Sequence, residues 1–178
     1  LRVGWVTQEA VSDELALQLA VFTRSIIAAE GLFVLPANDP LLAHPTYQRQ
    51  LGIRPHTTLS YAQTPQSPGL HVMEMPTRQW GEMLTGLGAA GTAAIITHIG
   101  RQPMFGHPLI PVLQITTDSV SAARYPSELD GAFAPDDHLP QHLLDLLGET
   151  LTRIYTPRLT QIGTTDFQIT RGLLGVSL

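Results

Sequence analysis

The sequence contains neither cysteine nor lysine. Without thiols it can build no disulfide, thiolate nucleophile, iron–sulfur cluster or cysteine-bound zinc. Without lysine it has no Schiff-base or P-loop amine. All ten cations are arginine, set against 15 acids for a net charge of −5, which argues against a phosphate-tracking basic surface and hence against nucleic acid as a partner. Charge is scarce altogether, at 14% of 178 residues, whereas hydrophobic residues make up 43%. That balance describes one ordinary globular domain with a core of its own rather than a disordered chain. Long apolar runs are missing too. The longest are strand-length, so neither a signal peptide nor a membrane span is read, and the cytoplasm is the expected compartment. The chain opens at Leu1 directly inside an apolar run, LRVGWVT. This reads as a fragment or a processed product.

What is present is organised around residues 93–119. Two apolar runs, 93–99 and 110–116, are short and rich in Ile or Val, which is how buried strands read. Between them lies GRQPMFGHP, with one cation, one imidazole, two glycines and two prolines. Upstream, residues 1–7 read as a strand. Residues 9–30 read as a helix with Leu15, Leu19, Phe22 and Ile26 at helical spacing, and Gly31 as its C′ residue. Residues 32–37 read as a strand buried on both faces, completing a βαβ unit. Asn38-Asp39-Pro40 opens a short helical stretch ending at Gly52. Strands are expected within 57–63 and 70–75, and helices over 80–90 and 138–155. Residues 118–137 read as irregular, and the apolar tail, 161–178, is expected to dock on the body. The result is a single three-layer, Rossmann-like α/β domain over 1–178, with a mostly parallel sheet and helices on both faces.

The candidate chemistry clusters near the central loop. Gly86-Leu87-Gly88-Ala89-Ala90-Gly91 spells GxGxxG, but a helix precedes it and a strand follows, the reverse of a dinucleotide fingerprint. The real first βα turn, Thr7 to Ser12, has no glycine. Neither NAD nor FAD is expected. His138 and His142 stand at i, i+4 with Asp136 and Asp137 before them, a spacing that serves either a metal or a solvated first turn. His71, His98 and His107 suit acid–base work, or a structural hydrogen bond at a strand end. Arg101 offers a planar fork for a carboxylate. Its alternative is an ion pair with Glu74, Glu82 or Asp118. Glu74 is a candidate acid or base if buried, and an ordinary outward-facing residue otherwise.

Several stretches resemble the altronate/galactarate dehydratase family of sugar-acid hydro-lyases. GLHVMEMP, from Gly69, is similar to that family's GLxFMDTP, and LTGLGAAG, from Leu84, to its helix ending in TGxxAAG. Gly100-Arg101 falls at the Gly-Arg of TTGRGTP. GHPLIPVLQI, from Gly106, resembles GNPIAPVIKV, and the tail from Phe167 resembles FAIWR…GPTL. Residues 1–51 are more weakly similar to the βαβ unit before these motifs, so the resemblance implies the C-terminal portion of a longer protein, with the missing N-terminal domain of the same protein as a partner.

The resemblance implies loss of water from an aldonate or aldarate, assisted by a divalent metal such as iron, manganese or magnesium. A base removes the proton next to the carboxylate and the β-hydroxyl departs. His98 and Glu74 are then the catalytic candidates, with Arg101, His107 and Gln114 as substrate-binding ones. Metal ligands are not identified. The sequence also departs from the family. The cysteine motif GLECGGSD is VTQEAVSD here, the lysine of PVIKV is Gln114, and the loop after Arg101 is the more apolar Gln-Pro-Met-Phe. Two further readings stay open: a non-catalytic domain that holds a small acid, and a structural subunit that packs on a partner or on another copy of itself.

Overall fold

The computed structural model describes residues 1–53, 55 and 57–168. The expected docking of the tail, where it concerns residues 169–178, lies outside the described residues.

Seven strands form one sheet: β1 (Arg2–Thr7), β2 (Leu32–Pro36), β3 (Thr57–Leu59), β4 (Gly69–Met73), β5 (Ala94–His98), β6 (Val112–Thr116) and β7 (Gly131–Ala132). Their order is β3-β4-β2-β1-β5-β6-β7, and every pairing is parallel. The helices are α1 (Asp13–Ala28), α2 (Pro45–Leu51), α3 (Trp80–Ala89), α4 (Ser119–Arg124), α5 (Leu139–Leu151) and α6 (Arg158–Gln161), with a 3₁₀ turn at Pro40–Ala43.

Side chains alternate across each strand, and the two core clusters follow that alternation. Val3 and Trp5 of β1, Phe33 and Leu35 of β2, and Ala94 and Ile96 of β5 pack with α1, α2 and α5. Val6, Val34, Ile95 and Val112 point the other way and pack with Trp80, Leu84 and Leu87 of α3. This gives the expected three layers. The first face is anchored by Trp5, Phe22 and Phe33, whose ring centroids lie 5.9–6.4 Å apart. Such aromatic pairs add to the burial energy of their area.

Local signals explain most boundaries. Ser12 caps α1, accepting from Leu15 N–H at 3.2 Å, and Asp13 and Glu14 fill its first turn, where the helix dipole favours acids. Gly52 ends α2 in the left-handed conformation, φ 64°, which costs glycine nothing. The end of α1 differs from expectation. Glu30, not Gly31, takes the left-handed position, φ 55°, and Gly31 N–H reaches back to Ile26 O at 2.9 Å, which makes a Schellman turn with glycine one place later. The stretch 118–137 is also more ordered than expected. It contains α4, capped by Asp118, and the two-residue β7.

The string from 86 to 91 lies at the C-terminal end of α3 and leads into β5, as its order of elements implied. No helix of the described residues is long and apolar enough to cross a membrane.

Candidate functional site

In an open parallel sheet, ligands bind beyond the carboxyl ends of the strands where the chain changes direction along the sheet. Here that point is β1. The chain leaves it towards β2 and β4 on one side and returns to β5 on the other. A crevice of about 700 Å³ opens beside it, within the size range of small-molecule sites. The end of β1 contributes Val6, Thr7 and Gln8, and the end of β2 contributes Pro36, Asn38, Asp39 and Pro40. Arg78 to Gly81 and Met83 come from the start of α3, Met104 and Phe105 from the loop after β5, and Asp166 to Gln168 close one side.

The loop after β5 is fastened at nearly every residue. Gln8 Oε1 accepts from Gly100 N–H at 3.0 Å, while its Nε2 donates to Gln102 O at 3.3 Å. Ser121 Oγ donates to Gly100 O at 2.9 Å. Gln114, fully buried, presents its carboxamide to Met104, accepting from N–H at 3.0 Å and donating to C=O at 2.7 Å. Trp80 Nε1 donates to Phe105 O at 2.8 Å. A Cβ at position 100 would lie 2.8 Å from the Glu9 carboxylate, so a larger residue there would have to displace the Glu9 side chain that pairs with Arg101. These contacts hold Met104 and Phe105 in place as a preformed wall.

Asp39 is the buried acid of the crevice. Its Oδ2 accepts from Thr7 N–H at 2.7 Å and its Oδ1 from Leu41 N–H at 2.9 Å. It thereby joins β1 to the 3₁₀ turn that it caps. Burial pushes its carboxyl up to about 6, against the pull of those two N–H donors.

The residues singled out from sequence fall in three places. Arg101 is exposed, and its Nε meets Glu9 Oε1 at 2.9 Å. Its partner is thus Glu9 rather than Glu74, Glu82 or Asp118, and it lies on the outer side of the fastened loop, not in the crevice lining. A pair this open to solvent contributes little to stability. Gln114 reaches the crevice only through Met104. Glu74, one residue past β4, is exposed and uses its backbone N–H on Leu59 O.

His98 alternates with Ile96 onto the α1 and α5 face, away from α3 and the crevice. Its Nε2 meets Thr117 Oγ1 at 3.0 Å and its Nδ1 is buried with no partner among the described residues. Burial lowers its pKa to about 4, so it is neutral at physiological pH. His107 is buried beside α3. Its Nδ1 accepts from Leu109 N–H at 3.2 Å, which leaves the proton of the neutral ring on Nε2, 3.3 Å from Thr85 Oγ1. Burial lowers its pKa as well. His71 meets Ser67 O through Nε2 at 2.8 Å.

None of the residues lining the crevice was singled out from sequence as a site residue, Asp39 and Arg78 among them. Asp39 was legible only as the residue opening a helical stretch, because its second partner, Thr7, is 32 residues away. Arg78 sits in a polar stretch before α3. The available signal was its position, in the connection leading from the carboxyl end of β4. Arg78 makes no ion pair among the described residues, unlike Arg101.

No group of three or more His, Asp or Glu that could hold a metal occurs among the described residues. His138 and His142 stack on one another, with ring centroids 6.3 Å apart, beside Phe133. The described residues therefore do not fit the divalent metal that the family resemblance implies.

The family model for the D-galactarate/altronate dehydratase C-terminal domain matches residues 50–153, more than half of the chain. The chain belongs to this family. No curated protein matches it. The match begins after β2, so the crevice joins walls from within the family region, Arg78, Met104 and Phe105, to walls from before it, Thr7, Gln8 and Asp39.

Proposed function

We propose that this domain is the acid-binding portion of a sugar-acid hydro-lyase, taking an aldonate or aldarate in the crevice at the carboxyl ends of β1 and β2. The observation that carries the reading is an arginine without an ion-pair partner among the described residues, Arg78, lining a preformed crevice at the sheet's switch point in a chain of this family. A guanidinium left unpaired in a cleft is suited to hold a carboxylate through two parallel N–H donors. Asn38, Gln79 and Thr7 add groups that can bond to hydroxyls around it.

A second reading is favoured by a separate observation. Neither His98 nor Glu74 faces the crevice, and no metal-ligand group exists among the described residues. Binding without turnover by this chain follows, with proton abstraction and metal binding supplied from outside the described residues.

Calorimetric titration of the chain with a panel of aldonates and aldarates tests the binding. Arg78→Gln should weaken any acid that binds by about 1.5–3 kcal/mol, the range for a hydrogen bond to a charged group. Equal affinity of variant and wild type would remove Arg78 from the site. Turnover is tested by adding iron, manganese, magnesium or zinc in turn and following 2-keto-acid formation. The expected outcome is binding with no product, and metal-dependent product from this chain alone would return the chemistry to residues described above.

A further inference from the structure

An anion entering the crevice upsets its charge. Among the described lining residues Arg78 is the single cation, whereas Asp39 and Asp166 are both acids. With both ionised, the lining is one charge negative before a ligand arrives, and a bound aldonate makes it two. The two acids differ in their access to water. Asp166 is exposed, so solvent screens it. Asp39 is only 5% exposed and has no ion-pair partner among the described residues. Two neutral donors hold it instead, Thr7 N–H on Oδ2 and Leu41 N–H on Oδ1. Both bonds survive protonation, since a hydroxyl oxygen still accepts while its hydrogen points elsewhere. Burial already pushes this carboxyl up to about 6.

The other titratable groups on the elements around Asp39 do not line the crevice. On β5, His98 pairs with Thr7 across the sheet, and burial lowers it to about 4. On α2, Tyr47 is raised by burial, the Asp39 charge adding to the rise, and its hydroxyl bonds with Thr23 Oγ1 of α1. Glu9, after β1, pairs with Arg101. His44, after the 3₁₀ turn, lies 3.9 Å from Asp13. Glu74, after β4, is exposed. Met104 and Phe105 carry no charge.

We propose that Asp39 belongs to the acid site and takes up a proton when a sugar acid binds, so that Arg78 holds the ligand's carboxylate while the neutral Asp39 carboxyl donates to a ligand oxygen. This rests on the reading of the crevice as an acid site. An ionised Asp39 would share one cation with a second anion, and the ligand displaces water from the crevice. Both effects favour the neutral form. A proton taken from solvent cancels one of the two charges and turns a repelling acceptor into a donor. Asn38 and Gln79 remain for the hydroxyls.

Gluconate and glucarate, both ionised from pH 5.5 upwards, are titrated into the 178-residue chain. Each should bind about fivefold or more tightly at pH 5.5 than at pH 7.5. Calorimetry at pH 6.5, in buffers of different ionisation heat, should show uptake of about half a proton or more per ligand. The carbon-13 shift of the Asp39 carboxyl, followed against pH, should titrate about one unit or more higher in the presence of whichever acid binds more tightly. Asp39→Asn should remove the pH dependence, with affinities at the two pH values within about twofold of one another, whereas Asp166→Asn should keep it. If circular dichroism shows Asp39→Asn unfolded, the carbon-13 titration of wild type decides. Binding that is lost in Arg78→Gln, but takes up no proton and leaves the Asp39 titration unmoved, would overturn this role of Asp39 while the acid site stands. So would a pH dependence that persists in folded Asp39→Asn. If neither acid binds in an Arg78-dependent manner at either pH, the acid-site reading fails and this inference with it.

Discussion

Replacing Gln114 by methionine tests whether one buried carboxamide holds the crevice wall. The two side chains are unbranched and similar in length, so packing on the α3 side of β6 is nearly preserved. What is lost is specific: the acceptor for Met104 N–H, at 3.0 Å, and the donor to Met104 C=O, at 2.7 Å. Leaving a buried backbone group unpaired costs about 1–3 kcal/mol. Met104 is only half-buried, so its loop can partly open to water, and about 2–4 kcal/mol for the pair is the expected loss. For a domain of this size that is a fall in melting temperature of roughly 5–15 °C. The urea midpoint should shift with little change of slope, because the unfolded surface is unchanged.

Gln114→Glu gives the matching pH test. A protonated carboxyl can accept from Met104 N–H and donate to Met104 C=O, as the carboxamide does. An ionised one keeps the first bond but repels the carbonyl oxygen. The folded state therefore holds the proton more tightly than the unfolded state, and the introduced acid has a raised folded pKa. An acid with a raised folded pKa destabilises progressively as pH rises from its unfolded value to its folded value. The variant should match wild type near pH 4 and fall below it by about 1.4 kcal/mol for each unit by which the pKa is raised. Wild type must be measured alongside, since Asp39 and Asp130 are themselves raised by burial. An unchanged urea midpoint for Gln114→Met would refute the clamp. So would a Gln114→Glu variant that tracks wild type at every pH.

Two further predictions concern stability. Asp39 is raised from 3.8 to about 6, so the same sign applies to the native chain. Its contribution favours folding below about pH 4 and is lost as pH rises towards about 6, an effect of up to about 3 kcal/mol. Asp39→Asn should flatten that part of the urea-midpoint profile and lower stability at pH 4, because the amide NH2 that replaces one carboxyl oxygen is a donor and faces the Thr7 or Leu41 N–H that oxygen accepted. A profile identical to wild type would show that Asp39 is not the titrating group. In the GxGxxG string, a Cβ on Gly86 would sit 2.4 Å from the Tyr61 ring, which is anchored by its hydroxyl to Glu82 O, whereas one on Gly88 meets the mobile end of Ile110. Gly86→Ala should therefore cost about 1–3 kcal/mol in chemical denaturation and Gly88→Ala less, helix propensity favouring both. The reverse order would contradict this account of the glycines.

The elements legible in the sequence are those whose burial leaves a period. α1 and α5 carry apolar stripes, and β1, β2, β5 and β6 are buried along almost their whole length. α4 left no such mark. Ser121 is its one buried residue, and Val120 is 71% exposed, so it is held by the Asp118 cap and not by a core face. β7 is two residues long and takes its place through backbone pairing to Ile115 and Thr116, which side-chain pattern cannot announce. β3 ends at Leu59, its buried apolar residue, instead of running on to 63.

The site divides in the same way. The loop after β5 was legible as the centre of the chain because glycines and prolines break two buried runs there. Its role was not, because that depends on partners brought close only by the parallel order of strands. Gln8 reaches across more than 90 residues to Gly100 and Gln102. Glu9 takes up Arg101, the cation that chemistry alone would assign to a ligand. Gln114 stands where the family resemblance has a lysine, and its carboxamide is spent on backbone. A lysine ammonium could donate to Met104 C=O but could not accept from its N–H. The change to glutamine thus exchanges a group able to carry charge for one able to pair both sides of a loop. The polar side chains nearest the expected chemistry are committed to holding the loop, and among the described residues Arg78 is the cation that lines the crevice.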